Sequence, residues 1–420
     1  MNVLLQQSKL DNQNSTINIT GSKSETNRML LLQAWYPEIT IENASNSDDS
    51  EVMTKAIQQS KIKNQKSKII DVHHAGTAMR FLTAFFAIQE GSEVVLTGSS
   101  RMKERPIKIL VDALNQLGAD IIYTENEGFP PIKIKGKKLS KNKVVLSANV
   151  SSQYISALLL IAPKLEDGLE LTLQGEITSI PYIKMTLALL DEIGVATSFE
   201  DNIIKVNRKS KIVKHQSQIE SDWSSASYWY SIIALSEIGT KITLSSFKEN
   251  SLQGDAILVE IYKNFGVETI FNKNQTITIS KINFKNQQSL FFNLQSSPDI
   301  AQTIAVTCFG LGISCHLTEL HTLKIKETDR LEALKTELSK LGAIISITDD
   351  SLTLESNQKQ TIKIDVSIAT YQDHRMAMAF APLSLKTNIV IENAEVISKS
   401  YPTFWEDLVS VGFQIQDVIV

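Results

Sequence analysis

Residues 110–123 read LVDALNQLGADIIY, a stretch in which apolar residues at helical spacing lead up to a glycine. This pattern predicts a helix that ends at Gly118, because glycine readily takes the left-handed conformation that closes a helix. The isoleucine-rich run after the glycine predicts a strand. The stretch therefore indicates one helix–turn–strand unit of an α/β protein.

The same pattern recurs four more times along the chain, at residues 186–199, 258–271, 334–347 and 406–415. The glycines of the five copies lie 76, 72, 76 and 70 residues apart, and they are Gly118, Gly194, Gly266, Gly342 and Gly412. Spacings this even indicate a repeated unit of about 73 residues, which fits the chain about six times. The first expected helix end, near Ser60, has no glycine. The first repeat is therefore predicted to be shortened.

The composition indicates a globular protein of two domains. The chain has 420 residues, of which 42% are hydrophobic and 21% charged, with a formal net charge of -4. This balance argues against a disordered chain and against a nucleic-acid-binding surface. The sequence has no recognisable signal peptide, and its apolar runs are too short to cross a bilayer. Cys308 and Cys315 are expected to be buried thiols, so a cytoplasmic protein is expected.

Four polar motifs precede apolar runs in the first half of the chain: GSKSETNR (21–28), HHAGTAMRFL (73–82), SSRMKERP (99–106) and VSSQYISALLL (150–160). Such residues at the start of a helix are suited to an anion, because backbone N–H groups and the helix dipole add to the charge of lysine and arginine. Each motif alone is equally compatible with a helix cap or a solvated surface. The adjacent His73 and His74 do not have zinc-ligand spacing, so no metal site is expected.

Four further motifs of this kind follow in the second half: SSPDIAQTIAV (296–306), KIKETDRLEAL (324–334), TYQDHRMAMAF (370–380) and SKSYPTFWEDL (398–408). Taken together, the motifs hold more cations than one phosphate needs, namely Lys23, Arg105, Lys326, Arg330, Arg375 and Lys399. Two ligands that each carry phosphate and carboxylate would match them. Asp299 and Glu327 are the obvious proton carriers, although a helix cap and a surface ion pair with Arg330 would also explain them.

In this order, the motifs GSKSETNR, AGTAMR, RMKERP, SSQYISALLL, DWSSASY, KETDR and DHRMAMAF resemble the signatures of the EPSP synthases. The resemblance runs from Gly21 to about Phe413. It implies an α/β fold, a two-domain inside-out α/β barrel of six βαβαββ-type repeats, three per domain, with the active site in the inter-domain cleft. It places one domain at residues 20–222 and the other at residues 1–19 plus 223–420.

The resemblance also implies an activity. The family transfers the enolpyruvyl group of phosphoenolpyruvate to the 5-hydroxyl of shikimate 3-phosphate, in the shikimate pathway to chorismate and the aromatic amino acids. The reaction passes through a tetrahedral ketal phosphate and needs no cofactor and no metal. The expected partners are these two small molecules, without nucleic acid or membrane, and a monomer is expected. Glyphosate is expected to compete with phosphoenolpyruvate.

Matched position by position, the resemblance assigns roles to individual residues. Asp299 accepts the proton of the 5-hydroxyl, and Glu327, together with Lys23, delivers a proton to the methylene carbon. The shikimate 3-phosphate ligands are Lys23, Ser24, Arg28, Ser151, Ser152, Gln153, Ser179, Tyr182, Asp299 and Lys326. The phosphoenolpyruvate ligands are Lys23, Gly76, Arg105, Gln153, Arg330, Arg375 and Lys399.

Four positions depart from the common family pattern: His74, Phe81, Ile180 and Thr322. They leave glyphosate sensitivity and substrate affinity open. One alternative is the enolpyruvyl transferase that acts on UDP-N-acetylglucosamine, which shares the fold but usually carries a reactive cysteine in a mobile loop. An RNA 3'-phosphate cyclase relative would need a basic RNA surface. A non-catalytic phosphate-binding relative would not need Asp299 and Glu327.

Overall fold

The computed structural model describes residues 1–10, 15–60, 68–148, 151–175, 177, 180–284, 288–356 and 362–418. The chain divides into two compact units. We call Gly21–Ile219 the middle unit, and Met1–Thr20 together with Glu220–Val420 the terminal unit. The sequence places the corresponding crossings near Thr20 and Asp222.

Two strands near the N-terminus, β1 (Asn2–Leu5) and β2 (Thr16–Ile17), belong to the terminal unit. The helices of the middle unit are α1 (Lys23–Trp35), α2 (Asp48–Ser60), α3 (Gly76–Ala87), α4 (Ser100–Lys103), α5 (Lys108–Gln116), α6 (Ser152–Ile161) and α7 (Ile180–Glu192). A 3-10 helix, Ala162–Lys164, follows α6. The strands of the middle unit are β3 (Ile39–Glu42), β4 (Lys68–Asp71), β5 (Glu93–Thr97), β6 (Asp120–Tyr123), β7 (Ile132–Lys135), β8 (Lys143–Ser147), β9 (Leu169–Gln174), β10 (Thr197–Glu200), β11 (Ile203–Val206) and β12 (His215–Gln218).

The terminal unit continues with the second half of the chain. Its helices are α8 (Trp223–Leu235), α9 (Leu258–Lys263), α10 (Ala301–Leu311), α11 (Arg330–Lys340), α12 (His374–Phe380) and α13 (Phe404–Ser410). Its strands are β13 (Lys241–Leu244), β14 (Val267–Phe271), β15 (Ile277–Lys281), β16 (Ser289–Asn293), β17 (Ser314–Thr318), β18 (Ile345–Ile347), β19 (Leu352–Leu354), β20 (Val366–Ile368), β21 (Ile389–Ile391) and β22 (Ile415–Val418). Its 3-10 helices are Gly254–Ile257, Pro298–Ile300, His321–Ile325, Ala381–Leu385 and Ala394–Lys399.

Within the described residues the strands form six sheets, with the orders β4-β5-β7-β6, β10-β11-β9-β8, β12-β3, β14-β15-β13-β2, β16-β17-β19-β18 and β20-β21-β1-β22. Each sheet has one parallel pair, and the other pairs are antiparallel. The order β16, α10, β17, α11, β18, β19 is a complete βαβαββ repeat. These sheets confirm the predicted α/β class and its repeats.

The N-terminal segment completes two sheets of the terminal unit. β1 pairs with both β21 and β22, and β2 pairs in parallel with β13. The segment therefore supplies the last strand of one repeat and the first strand of another. In the middle unit, the sheet of β3 and β12 has two described strands. The loop expected after Ser60 lies in residues 61–67, outside the described residues, so the shortened first repeat stays a prediction.

The five repeat glycines end helices as predicted. All five have a positive φ, between 71° and 104°. α5 ends two residues before Gly118, and β6 begins two residues after it. A side chain at this backbone conformation would be strained, which explains why the helix–Gly–strand pattern is visible in the sequence.

Each unit has its own apolar core, and its most apolar helices lie inside that core. In α3, every residue except Thr77 is buried, and α8 and α10 are buried over most of their length. Their strands instead alternate buried and more exposed residues, as in β5. Helices that are apolar on all sides need burial on all sides.

Cys308 and Cys315 are both buried, and neither forms a disulfide, as predicted. None of the helices formed by described residues is both long enough and apolar enough to span a membrane.

Candidate active site

The GSKSETNR motif lies at the start of α1. Ser22, rather than Ser24, caps the helix, because its hydroxyl accepts a hydrogen bond from the backbone N–H of Glu25 at 3.4 Å. Lys23 and Ser24 are the first two helical residues, and both are partly exposed. The ammonium of Lys23 therefore adds its charge to the positive end of the helix dipole, in an arrangement suited to an anion.

Lys23 has a counter-ion that sequence reasoning missed. Its Nζ lies 3.6 Å from Oδ2 of Asp49, whose side chain is buried in the first turn of α2. The only sequence signal was the acidic pair Asp48 and Asp49 at a helix start, which is normally explained by the helix dipole. Asp49 holds the lysine ammonium in place while the lysine side chain stays 21% exposed.

Arg28 is buried, and its guanidinium is used within the protein. It donates from Nε to Thr186 Oγ1 at 2.8 Å, from Nη1 to the carbonyl of Ser24 at 2.7 Å and from Nη2 to Ser156 Oγ at 2.9 Å. Burial lowers the pKa of Arg28 to about 10, although Tyr182 and Glu25 oppose this. The contacts join α1 to α6 and α7. They indicate that Arg28 positions the residues around it.

The AGTAMR and RMKERP motifs meet at Gly76. A Cβ atom at Gly76 would lie 2.7 Å from Nη1 of Arg105, so only glycine lets the guanidinium come this close to the start of α3. Arg80 fixes the two segments, since it donates to the carbonyls of Gly76 and Pro106, each at 3.1 Å. The Arg105 side chain makes no hydrogen bond or ion pair with any described residue. Its charge is therefore available to a ligand.

The SSQ motif begins α6. Ser151 caps this helix by accepting from the backbone N–H of Gln153 at 3.4 Å. The amide of Gln153 donates to Thr77 Oγ1 at 3.2 Å, which brings this motif beside the start of α3. Ser152 is mostly buried, and Tyr182 is partly exposed. The predicted ligand Ser179 lies outside the described residues.

In the terminal unit, three cations surround Asp299. Its Oδ1 lies 2.9 Å from Arg330 Nη1 and 3.3 Å from Lys326 Nζ, and its Oδ2 lies 3.3 Å from Arg375 Nη2. Arg375 also donates to the backbone carbonyl of Asp299 at 3.2 Å. The structure thus brings together the SSPD, KETDR and DHRMAM motifs around one carboxylate that is still 16% exposed.

Asp299 is not the helix cap that its sequence position also allowed. It lies in the 3-10 helix Pro298–Ile300, and α10 begins after it without a side-chain cap. Burial by itself would raise its pKa, but Lys326, Arg375 and Arg330 outweigh burial and hold the pKa of Asp299 well below its usual range. The carboxylate is therefore ionised.

Arg330 is 2% exposed, so its contact with Glu327 is not a surface pair. It donates from Nη2 to Glu327 Oε2 at 2.8 Å and from Nε to Asp373 Oδ2 at 2.6 Å. Asp373 is fully buried, and it also caps α12 by accepting from the backbone N–H of Arg375 at 2.9 Å. The sequence placed Asp373 at a helix start but gave no sign that it would pair with Arg330.

Lys399 lies beside the same segment. Its Nζ donates to the carbonyl of Gln372 at 2.6 Å, directly before Asp373.

The described part of the chain contains no group of three or more His, Cys, Asp or Glu side chains arranged to hold a metal ion. The site residues of each unit thus include cations at or beside helix starts, and carboxylates hold four of them, namely Lys23, Lys326, Arg330 and Arg375. This arrangement can bind phosphate and carboxylate groups and place a carboxylate beside them.

The profile of the EPSP synthase family, 3-phosphoshikimate 1-carboxyvinyltransferase, matches residues 8–408. The chain belongs to the EPSP synthase family. It is 43% identical to the 3-phosphoshikimate 1-carboxyvinyltransferase of Bacteroides fragilis (strain YCH46) over 410 residues, which cover 96% of each chain. It is 35% identical to the enzyme of that name from Haemophilus influenzae (strain Rd) over 419 residues, which cover 93% of this chain and 95% of the relative.

Two solved structures have the same fold as this chain. The EPSP synthase of Acinetobacter baumannii matches with a TM-score of 0.80 at 21% identity, covering 99% of both chains. The enolpyruvyl transferase NikO of Streptomyces tendae matches with a TM-score of 0.76 at 12% identity, covering 100% of this chain and 99% of that one. These likenesses confirm the fold that the sequence motifs implied.

Proposed function

We propose that the chain transfers the enolpyruvyl group of phosphoenolpyruvate to the 5-hydroxyl of shikimate 3-phosphate and releases phosphate. The observation that carries the proposal is the Asp299 carboxylate, held by Arg330, Lys326 and Arg375 at 2.9, 3.3 and 3.3 Å. A carboxylate among cations combines a proton acceptor with charges that bind anionic substrates. Membership of the EPSP synthase family supports this reaction over other reactions that have anionic substrates.

The proposed reaction is an addition followed by an elimination. The 5-hydroxyl oxygen attacks carbon 2 of the enolpyruvyl group, its proton passes to Asp299, and Glu327 gives a proton to the methylene carbon. This forms a tetrahedral ketal phosphate with a methyl group. Phosphate then leaves with the proton held by Asp299, and the methyl group returns a proton to Glu327, which restores the double bond. The resemblance assigns Lys23 to the same protonation step as Glu327.

The low pKa of Asp299 makes it a weak base without substrates. We infer that substrates change this, because their phosphate and carboxylate groups compete for Lys326 and Arg375. When these cations turn to the substrates, less positive charge acts on Asp299 and its affinity for a proton rises. Arg330 is expected to stay in place during this change, because it is held by its buried contact with Asp373.

The remaining residues are proposed to bind or to position. Lys23 and Gln153 present donors from helix starts of the middle unit, and Arg375 does so in the terminal unit. Arg105 and Lys399 lie outside helix starts and add their charges beside α3 and the segment before α12. Arg28 is proposed to position Ser24, because its donors already have partners within the protein. Neither of the two cysteines supports the UDP-N-acetylglucosamine alternative, because both are buried in the terminal unit.

A phosphate-release assay with mass spectrometry of the organic product tests the proposal. Phosphate should appear only when phosphoenolpyruvate and shikimate 3-phosphate are both present, and the product should be 5-enolpyruvylshikimate 3-phosphate. Reactions that lack one substrate are the controls. Replacement of shikimate 3-phosphate by UDP-N-acetylglucosamine tests the alternative. Turnover with the sugar nucleotide, or no turnover with shikimate 3-phosphate, would overturn the proposal.

A further inference from the structure

A buried carboxylate lies behind Arg375 in the terminal unit. Asp255 belongs to the 3-10 helix Gly254–Ile257 and is 4% exposed. Its Oδ2 accepts a hydrogen bond from the hydroxyl of Ser224, in the first turn of α8. Its Oδ1 is buried and accepts no hydrogen bond from any residue that the structure describes. An incompletely satisfied buried carboxylate costs stability, so its position calls for an explanation.

Ser224 connects this carboxylate to the proposed site. Arg375 Nη2 lies 3.3 Å from Ser224 Oγ and also 3.3 Å from Asp299 Oδ2. The serine hydroxyl donates to Asp255 and accepts from Arg375. The residues therefore form one continuous chain of hydrogen bonds from Asp255 through Ser224 and Arg375 to Asp299.

We propose that Asp255 is a positioning residue that acts through Ser224 to orient the Arg375 guanidinium for the anionic group of phosphoenolpyruvate. This inference rests on the proposed function and adds Asp255 and Ser224 to it. A carboxylate only accepts hydrogen bonds, so it directs the serine proton toward itself and leaves a serine lone pair facing Arg375. The guanidinium then has a fixed partner besides Asp299, and the same nitrogen, Nη2, contacts both.

This fixed partner matters when substrate arrives. An anion that binds Arg375 competes with Asp299 for the same guanidinium. Ser224 keeps one N–H of Arg375 in place during that exchange, so less side-chain freedom is lost on binding. Without Ser224 or the charge of Asp255, Arg375 would stay with Asp299 or move among several orientations, and phosphoenolpyruvate would bind more weakly.

The surroundings of Asp255 fit a positioning role better than a purely structural role. Gln253, two residues before Asp255, already fastens this segment to α8, since its Oε1 accepts from the backbone N–H of Trp223 at 2.9 Å. Its Nε2 also donates to the carbonyl of Ser221 at 2.9 Å. The segment is therefore held without Asp255. The charged groups that act on Asp255 are Arg375, Asp299 and Asp222, and the first two belong to the proposed site.

Steady-state kinetics of Ser224→Ala and Asp255→Asn test the inference. Each variant should raise KM for phosphoenolpyruvate about tenfold, the usual effect of losing a hydrogen bond to a charged group. The kcat and the KM for shikimate 3-phosphate should change by less than about threefold, because the lost interaction acts on one substrate. The double variant should be no worse than the poorer single variant, since both changes interrupt one chain of hydrogen bonds.

Glu220→Gln is the matched control. Glu220 is a second buried carboxylate of the terminal unit, and it accepts hydrogen bonds from Trp223 Nε1 at 2.8 Å and Ser251 Oγ at 2.6 Å. Its replacement should lower Tm and leave both KM values unchanged. If the wild type is active but the KM for phosphoenolpyruvate is unchanged in Ser224→Ala and Asp255→Asn, only this inference is overturned. Equal rises in the KM values for both substrates would also overturn only this inference. A wild type without turnover would overturn the proposed function as well.

Discussion

Arg330 donates from Nε to the Asp373 carboxylate at 2.6 Å, and both side chains are almost completely shielded from water. The two residues lie 43 positions apart, in the KETDR and DHRMAM motifs. The same guanidinium also contacts Asp299 and Glu327. Burial by itself would lower the pKa of Arg330, but Asp373, Glu327 and Asp299 outweigh it and raise that pKa. Arg330 thus holds three carboxylates of the terminal unit, including both proposed proton carriers.

Asp373→Asn should lower the free energy of unfolding by about 3–5 kcal/mol, because it removes the charge of a buried pair and leaves a guanidinium poorly neutralised. Urea unfolding measures this change. Glu332→Gln is the control, since the Glu332 side chain forms an exposed pair with Lys335 at 3.4 Å. The control should cost no more than about 1 kcal/mol. Equal costs in the two variants would contradict the importance of the buried pair.

Asp299 and Glu327 should both be needed for turnover but should differ in binding. Asp299→Ala should weaken shikimate 3-phosphate binding and nearly stop turnover, because Asp299 is proposed to hold the 5-hydroxyl and take its proton. Glu327→Gln should leave that binding nearly intact while turnover falls about 100-fold or more, the usual effect of losing a positioned acid or base. Calorimetric titration and single-turnover kinetics measure the two effects. Near-normal turnover in either variant would refute the role assigned to that residue.

Gly76→Ala should disturb Arg105 and little else. The added methyl group would lie 2.7 Å from Arg105 Nη1, and the end of this long side chain can move away without a change in the fold. KM for phosphoenolpyruvate should rise about tenfold as one charged hydrogen bond is lost, while Tm stays close to that of the wild type. Arg101→Lys, at an exposed arginine paired with Glu104, is the control and should leave KM unchanged. A normal KM in Gly76→Ala would show that Arg105 does not bind this substrate.

Asp255→Asn should stabilise the fold at pH 7.5. Burial raises the pKa of Asp255 to about 6, with Arg375 opposing the rise and Asp299 adding to it. Its unfolded-state pKa is about 3.9. Between these values the folded state binds more protons than the unfolded state, so wild-type stability falls as the pH rises from about 4 to about 6 and the loss is then constant. Two pKa units correspond to about 3 kcal/mol.

Thermal unfolding of the wild type and of Asp255→Asn across this pH range measures the effect. The variant should have the higher Tm at pH 7.5, and the difference should shrink toward pH 4, where Asp255 is protonated in the folded state and about half protonated in the unfolded state. The comparison of the wild type with Asp255→Asn at pH 4 is therefore the internal control. A variant that is less stable than the wild type at pH 7.5 would show that the ionised carboxylate stabilises this region.

Sequence alone predicted the repeated units because they depend on local physics. Apolar residues at helical spacing, a glycine with a positive φ and a β-branched run define each unit within about 14 residues, the length of one such stretch. The same local logic found the polar clusters at helix starts. It also led to Lys23, Arg105, Arg330, Arg375 and Asp299 as candidates, because motifs of cations before apolar helices stand out in any sequence.

Sequence left the alternatives for each motif open, and tertiary structure decided among them. Arg28 and Arg330 are both cations in motifs, but packing buries Arg28 among neutral partners and Arg330 among carboxylates. From the sequence alone, Asp299 could be a helix cap or a carboxylate of the site. The residues around it in the tertiary structure decide between the two roles. Burial sets the pKa of each group, and burial depends on residues that are distant in the chain.

Local spacing determined the helices, strands and repeats of this protein, since each follows from residues only a few positions apart. The pairs Arg330–Asp373, Gln153–Thr77 and Arg375–Ser224 were decided only by the tertiary structure. Their members lie 43, 76 and 151 positions apart. No periodicity connects residues at such distances. They meet because the apolar helices of each unit pack into the core of that unit, which brings the polar residues at their ends together.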